Sequence, residues 1–269
     1  MAESETDTVG QGYDAVYAAM PNSPTLLRIW RQHAMGEDYP EGFESISFLS
    51  LAELQRLKAE LALAPGQTLV DLGCGMGGPA LWVTREAGAE LVGMDVSSVA
   101  VERATDRARD RGLAEHARFV VGSFAQTGLL RESADGCMSV DALQYAPDKR
   151  AALVEAARIL RPGGRLAFLA FELHRERAAN LPVLSADPVE DFRPLLSEAG
   201  FSILHYEETA GWDRRLKTAY QAILDAEGSL SAEMGQAAWF ALSLEVSLTL
   251  QHEPYQSHVL AVAERLGSA

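Results

Sequence analysis

A glycine-rich segment, Gly73-Cys-Gly-Met-Gly-Gly78, is the part of the sequence best suited to binding a ligand. Glycine has no Cβ, so the backbone can approach a bound molecule closely. Asp71 lies two residues before this segment, and Asp95 lies 22 residues after Gly73. After the second strand of a strand–loop–helix unit, a carboxylate at this spacing can accept hydrogen bonds from the hydroxyls of a ribose. The spacing therefore predicts a site for a nucleoside-type cofactor.

Two further features narrow the kind of cofactor. Asp71 would lie close to the pyrophosphate of a dinucleotide, where a second negative charge is unfavourable, whereas a cofactor with an ammonium group would be stabilised by it. Val121-Gly-Ser-Phe124 ends a predicted strand with the hydroxyl of Ser123 and the ring of Phe124. This pair suits the edge and the face of an adenine.

The elements around these residues alternate between short apolar strands and amphipathic helices, which predicts crossover connections and a largely parallel, doubly wound α/β sheet. Residues between the last two strands are helical in pattern. We therefore expect an N-terminal helical cap over 1–64, a Rossmann-like core over 65–210 and 251–269, and a helical lid over 211–250. Strands are predicted at 68–72, 89–95, 118–122, 137–140, 165–171, 201–209 and 257–266, and helix starts at Pro79, Ser97 or Ser98, Asp148 and Asp187.

Four motifs in order resemble the class I S-adenosylmethionine-dependent methyltransferases, in particular the branch with quinone, sterol and natural-product methyltransferases. Val70-Asp-Leu-Gly-Cys-Gly-Met-Gly77 matches the glycine motif of that family, and Gly93-Met-Asp-Val-Ser97 matches its ribose-binding strand end. The segment from Asp141 to Lys149 matches the one that the family uses to reach the methionine part of the cofactor and the acceptor. Leu160-Arg-Pro-Gly-Gly164 precedes the fifth strand. The resemblance covers residues 65–172 well and the rest loosely.

The resemblance implies a fold, a reaction and a set of contacts. The fold is a seven-stranded, mostly parallel sheet with a reversed last strand, N-terminal helices and a helical insertion between the last two strands. The reaction is a direct displacement of the methyl group of S-adenosylmethionine by an oxygen, nitrogen or carbon of a small, partly apolar acceptor, which releases S-adenosylhomocysteine. Ser123 departs from the family, where many members carry aspartate. The implied cofactor contacts are Gly73 and Gly75 with the methionine tail, Asp71 with its ammonium group, Asp95 with the ribose, Val96, Ser123 and Phe124 with the adenine, and Asp141 near the methionine part.

The remaining candidates concern the cofactor mouth and the transfer step. Tyr13 is expected at the mouth of the cofactor site, because an aromatic ring attracts a sulfonium cation, although a core position suits it equally. Gln144 and Tyr145 are expected to orient the acceptor. His174 and His33 are candidate general bases, and the spacing of the six histidines predicts no metal site.

The charge of the chain limits its partners. With 23 Lys+Arg against 38 Asp+Glu the net charge is −15, which argues against nucleic acids and anionic membranes as partners. An acidic start and the lack of a long apolar run predict a cytoplasmic protein that acts on a small molecule. Whether it forms a homodimer stays open. A nicotinamide-dependent reductase, disfavoured by Asp71, and a non-catalytic or repurposed member of the fold are the alternatives.

Overall fold

The computed structural model describes residues 13–35, 43, 45–182 and 187–267. Its centre is a seven-stranded sheet in the order β3-β2-β1-β4-β5-β7-β6. The pairs among β1 to β5 are parallel, and β7 is antiparallel to both β5 and β6. The predicted fold with its reversed last strand is therefore confirmed. The strands are β1 (Thr68–Leu72), β2 (Glu90–Asp95), β3 (Ala117–Val121), β4 (Ala134–Val140), β5 (Leu160–Leu173), β6 (Phe201–Glu208) and β7 (Gln256–Arg265).

Helices cover both faces of this sheet. Side chains alternate along β1, so Leu69 packs into the core on one face while Val70 and Leu72 pack into the core on the other. Among the described helices, none is long and apolar enough to cross a lipid bilayer. The α-helices that follow the helical residues 13–19 are α1 (Pro24–Ile29), α2 (Leu51–Leu61), α3 (Gly78–Ala87), α4 (Ser98–Asp110), α5 (Lys149–Ile159), α6 (Phe192–Glu198), α7 (Trp212–Asp225), α8 (Glu227–Met234) and α9 (Gln236–His252).

Local signals set most helix ends. The Ser97 side chain caps α4 by accepting a hydrogen bond from the N–H of Ala100 at 3.0 Å, as its position before the helix predicts. Asp148 caps α5 in the same way through the N–H of Ala151 at 2.8 Å. Gly88 ends α3 with φ +65, in the left-handed region that favours glycine.

The helix predicted to begin at Asp187 begins instead at Phe192. Asp191 is its N-cap, because the Asp191 carboxylate accepts a hydrogen bond from the N–H of Arg193 at 2.9 Å. Asp187 has φ +48 and forms an ion pair with Arg175 at 3.1 Å. The Asp-Pro pair at this point therefore belongs to a loop that holds Arg175, and the next aspartate along the chain starts the helix.

The N-terminal helices and the insertion, residues 212–252, pack on each other. Residues 13–19 are helical, and a π-helix (Trp30–Met35) follows α1. Glu233 of α8 accepts hydrogen bonds from the hydroxyls of Ser23 at 2.6 Å and Thr25 at 2.7 Å. Arg215 of α7 joins Glu53 of α2 in an ion pair at 2.8 Å. These contacts tie the two helical segments together.

Candidate active site

A cavity of about 350 Å³ lies at the carboxyl ends of β1, β2 and β4, beneath the N-terminal helices and the insertion. Ligands bind at this edge in open α/β sheets. All but three of the predicted site residues line it. Those that do are Tyr13, Asp71, Gly73, Gly75, Asp95, Val96, Phe124, Asp141, Gln144 and Tyr145.

The glycine segment forms a cradle in the cavity wall. Gly73 has φ +77 and Gly75 has φ +48, so both adopt a conformation that side chains disfavour. A Cβ added to Gly73 would lie 2.4 Å from the Cβ of Ala142, and one added to Gly75 would lie 3.1 Å from the hydroxyl of Tyr17. The N–H groups of Gly73 and Cys74 both donate to the carbonyl of Met94, at 2.8 and 2.9 Å. The loop is thus fixed to β2, and a side chain at either glycine would crowd the cavity wall.

Asp71 is a buried carboxylate without a full set of partners. It is 2% exposed, and its Oδ1 accepts no hydrogen bond from the described residues. Burial and, second, the negative charge of Asp95 raise the pKa of Asp71 to about 8. An unpartnered buried carboxylate is costly, and a cation would remove that cost. Asp71 therefore fits the ammonium group of a cofactor.

Asp95 lies beside the glycine loop at the end of β2. Its Oδ2 accepts the N–H of Gly75 at 2.8 Å, and its Oδ1 accepts the N–H of Ser97 at 2.9 Å. Burial raises the pKa of Asp95, against the opposing effect of these backbone donors. Each oxygen keeps capacity for another donor, as binding of a ribose requires.

The adenine side of the site differs from the prediction at one position. Val96 and Phe124 line the cavity, and Gly122 lines it between them. Ser123 does not line it; its backbone forms an isolated bridge with Gln126. The structure therefore does not bring the Ser123 hydroxyl to the site.

Asp141 follows β4 with φ +51, and its carboxylate is occupied by the protein itself. Oδ1 pairs with Nε2 of His258 at 2.6 Å, and Oδ2 accepts the hydroxyl of Ser47 and the N–H of Phe48, both at 2.8 Å. Although burial raises it, the charge of His258 and these hydrogen bonds leave the pKa of Asp141 below its usual value. Asp141 thus holds the cavity wall, and a direct carboxylate contact with a ligand would compete with three internal partners.

Glu245 of α9, a half-buried carboxylate that was not among the predicted site residues, also lines the cavity. The hydroxyls of Tyr13 and Tyr145 both lie 3.2 Å from its Oε1. The Tyr13 ring lies 5.7 Å from that of Tyr17 and 5.7 Å from that of Tyr145. Gln144, next to Tyr145, donates to the carbonyl of Asp141 at 2.8 Å, and its Oε1 is buried without a donor.

The two predicted histidine bases do not line the cavity. His33 lies in the π-helix and is half-buried, and His174 is exposed just after β5. A third histidine, His252 of α9, does line it, and its Nδ1 lies 2.8 Å from the carbonyl of Leu248. Because a carbonyl only accepts, Nδ1 of His252 is the donor in this hydrogen bond. Within the described ranges, no group of three His, Cys, Asp or Glu side chains is placed to hold a metal ion.

One face of α9 carries the residues that the sequence analysis missed. Glu245, Thr249 and His252 are spaced by four and three residues, so they lie on one side of the helix, and all three line the cavity. The signal is present in the sequence, since Glu245 is the only acidic residue of the segment Gln236–His252, which is mostly apolar.

Comparisons with known proteins agree with this geometry. Residues 70–168 match a family model described as a methyltransferase domain. A 27-O-demethylrifamycin SV methyltransferase of Amycolatopsis mediterranei is 26% identical over 98% of this chain and 99% of its own length. The chain is an S-adenosylmethionine-dependent methyltransferase. The predicted class is thereby confirmed, and with it the cofactor and a small-molecule acceptor.

Solved structures of other proteins share the fold of this methyltransferase. The crystal structure of the cyclase SpnF superposes with a TM-score of 0.77 over 97% of this chain and 96% of that one, at 23% identity. A geranyl diphosphate methyltransferase in complex with S-adenosylmethionine superposes with a TM-score of 0.61 over 80% of this chain and 85% of that one, at 20% identity. At these identities the likeness concerns the fold alone.

Proposed function

We propose that this methyltransferase transfers the methyl group to a hydroxyl oxygen of a small, mostly apolar molecule. The observation that carries the proposal is the lining on the acceptor side of the cavity. Its walls include the rings of Phe48, Phe171 and Tyr220. Two buried polar atoms of the lining, Oε1 of Gln144 and Oε1 of Gln256, receive no hydrogen bond from the described residues, and both are acceptors. An apolar molecule that brings hydroxyl groups matches this lining.

Bound S-adenosylmethionine supplies an activated methyl group, so the protein's task is to hold and align the two reactants and to exclude water. In this proposal Asp71 binds the ammonium group and Asp95 the ribose. The backbone at Gly73 and Gly75 gives the methionine tail its path. Val96 and Phe124 enclose the adenine, and Asp141 supports the wall between them and the acceptor.

The insertion serves as the lid of the acceptor side. Tyr220, Glu245 and His252 reach the cavity from α7 and α9. Trp239 is 8% exposed and belongs to the hydrophobic core, and Phe240 is exposed, so neither ring lines the cavity. The lid function therefore rests on the polar face of α9 and on α7.

The relative from Amycolatopsis supports oxygen as the methylated atom. It matches this chain over nearly the whole length of both proteins, including the insertion, and its name specifies an oxygen. Oxygen is consequently the atom to test first, against nitrogen and carbon.

Incubation with S-adenosylmethionine carrying a 13C-labelled methyl group tests the proposal. The acceptors are 27-O-demethylrifamycin SV and a panel of hydroxylated polyketides, with the matching O-methylated compounds as controls. We expect one added methyl group per molecule, with the chemical shift of a methyl ether. A label on carbon or nitrogen overturns the choice of atom. Conversion without gain of mass overturns methyl transfer in favour of a repurposed member of the fold.

A further inference from the structure

Glu245 is the carboxylate that α9 contributes to the acceptor side of the cavity. Both of its hydrogen bonds, from Tyr13 and Tyr145, go to Oε1, and no donor from the described residues reaches Oε2. The titratable groups that face it are the phenols of Tyr13, Tyr17, Tyr145 and Tyr220. No cationic side chain of the described part of the chain offsets its charge. One oxygen is therefore held by the protein, and the other is available to a ligand.

Two tyrosines connect Glu245 to the end of the cavity where the methionine tail would run. The Tyr17 hydroxyl lies 3.1 Å from the position that a Cβ on Gly75 would take. Tyr17 stacks on Tyr13 with ring centroids 5.7 Å apart, and Tyr13 in turn contacts Glu245. Two stacked rings thus separate the glycine loop from this carboxylate.

We infer that Glu245 is the general base that takes the proton of the acceptor hydroxyl during methyl transfer. The O–H bond of the acceptor breaks, and its proton passes to the carboxylate. The electron pair of oxygen forms the bond to the methyl carbon, whose bond to sulfur breaks and leaves its pair on sulfur. Glu245 then returns the proton to solvent. This role rests on the proposed O-methylation.

The surroundings of Glu245 suit a base. Burial raises the pKa of Glu245, and the hydrogen bonds from Tyr13 and Tyr145 lower it only in part. A carboxylate with a raised pKa is a stronger base than one in water. Burial also raises the pKa values of both phenols far above their usual range, so they stay protonated and keep the carboxylate in place.

His252 is the rival base on the same helix face. It lies seven residues beyond Glu245, which places it about 10 Å further along the helix axis. Its Nδ1 is already bound to the carbonyl of Leu248, whereas Glu245 is bound to the tyrosines. We therefore expect His252 to hold a distant part of the acceptor rather than its reacting hydroxyl.

The test compares Glu245→Gln with Glu233→Gln and His252→Gln. Glu233 is the matched control, because it belongs to the same insertion and also accepts two hydroxyl hydrogen bonds from the N-terminal segment, but outside the cavity. The substrate is 27-O-demethylrifamycin SV or, if it is methylated faster, the best hydroxyl acceptor of the panel. Readouts are kcat and KM across pH, the Kd of S-adenosylhomocysteine, the Kd of the acceptor and the melting temperature.

For Glu245→Gln we expect kcat to fall at least 100-fold, as removal of one base does. At saturating cofactor, the fall of kcat at acid pH should disappear, while both Kd values at a fixed pH stay within threefold of wild type. Glu233→Gln and His252→Gln should keep that acid limb. If Glu245→Gln does not fold, Glu245→Asp replaces it and should retain the limb at reduced kcat.

Two results overturn the inference while leaving O-methylation intact. One is a Glu245→Gln protein with kcat within threefold of wild type. The other is loss of the acid limb in His252→Gln but not in Glu245→Gln. If the wild-type protein methylates no hydroxyl compound, the proposed function itself fails, and the role of Glu245 fails with it.

Discussion

Binding of the cofactor should release a proton from Asp71, so its affinity should rise with pH. The carboxyl group of Asp71 is buried without a cation, and its pKa is raised to about 8. An ammonium group favours the charged carboxylate, so Asp71 must lose its proton when that group binds. S-adenosylhomocysteine carries the same amino-acid part as the cofactor and is the convenient ligand for the measurement.

The pKa sets the size of the effect. Two pH units below it, at pH 6, only about 1% of the Asp71 carboxyl groups are ionised, and at pH 7 the fraction is about 10%. The apparent dissociation constant scales inversely with the competent fraction, so affinity should increase about tenfold between these two values, or about 1.4 kcal/mol. The rise should level off above pH 8, where Asp71 is largely ionised and the ligand's own amino group, with a pKa of about 8, loses its charge.

Isothermal titration in buffers of different ionisation enthalpy measures the proton directly. At pH 7 we expect about 0.9 protons released per ligand bound, since roughly nine tenths of the Asp71 groups start protonated. Asp71→Asn should bind more weakly, release no proton and show no such dependence on pH. Methylthioadenosine, which has the adenine and ribose but no amino-acid part, should bind the wild type without proton release. Equal affinities for S-adenosylhomocysteine at pH 6 and 7 with no release would refute the assignment of Asp71.

Three further predictions concern the cradle, the buried ion pair and the insertion. Gly73→Ala should weaken S-adenosylhomocysteine binding more than tenfold, because the added Cβ would lie 2.4 Å from the Cβ of Ala142 and displace the cavity wall. The control is Gly66→Ala, where φ is +80 and the space around the residue is open. This variant should bind the ligand normally and lose only about 1–2 kcal/mol of stability in denaturant unfolding. His258→Leu should cost about 3–5 kcal/mol, because it leaves the Asp141 charge buried and unpaired. Because the pKa of Asp141 is lowered in the folded protein, the loss of stability should be full above the unfolded pKa of about 3.9 and should shrink as the pH falls through the folded pKa. If His258→Leu costs as much stability in the Asp141→Asn background, the explanation is contradicted. Trp239→Ala should lower stability by about 3–5 kcal/mol with S-adenosylhomocysteine affinity within threefold, whereas a normal melting temperature with a raised acceptor KM would give Trp239 a direct role in the lid.

Features that depend on neighbours in sequence could be predicted. The helix caps Ser97 and Asp148 act on an N–H three residues away, so a short pattern contains both partners. The glycine cradle, Asp71 and Asp95 lie in one strand–loop–helix–strand unit, where spacing along the chain determines spacing in the fold. The same local logic fails at Asp187, because two aspartates four residues apart both suit a cap and only the packing of Phe192 selects the second.

Contacts between distant segments could not be read from the sequence. Asp141 pairs with His258 across 117 residues, and Tyr13 meets Glu245 across 232. The position of His174 after the fifth strand predicts a base at the site, but β5 continues to Leu173, and His174 is exposed. The position of a side chain around α9 likewise depends on how that helix rests on the tyrosines, which no local pattern specifies.

Four carboxylates line the same cavity, and their environments divide them by role. Asp141 is paired with His258 at 2.6 Å and has a lowered pKa, so its carboxylate has its partners within the protein before any ligand arrives. Burial raises the pKa values of Asp71, Asp95 and Glu245, and no lysine or arginine of the described residues pairs with them. Stability alone does not explain three such carboxylates in one cavity, because each costs free energy when it is charged. Their cost is offset when ligands bring the missing donors: an ammonium group to Asp71, ribose hydroxyls to Asp95 and the acceptor hydroxyl to Glu245. Asp71, Asp95 and Glu245 therefore lie where the cofactor and the acceptor are proposed to bind.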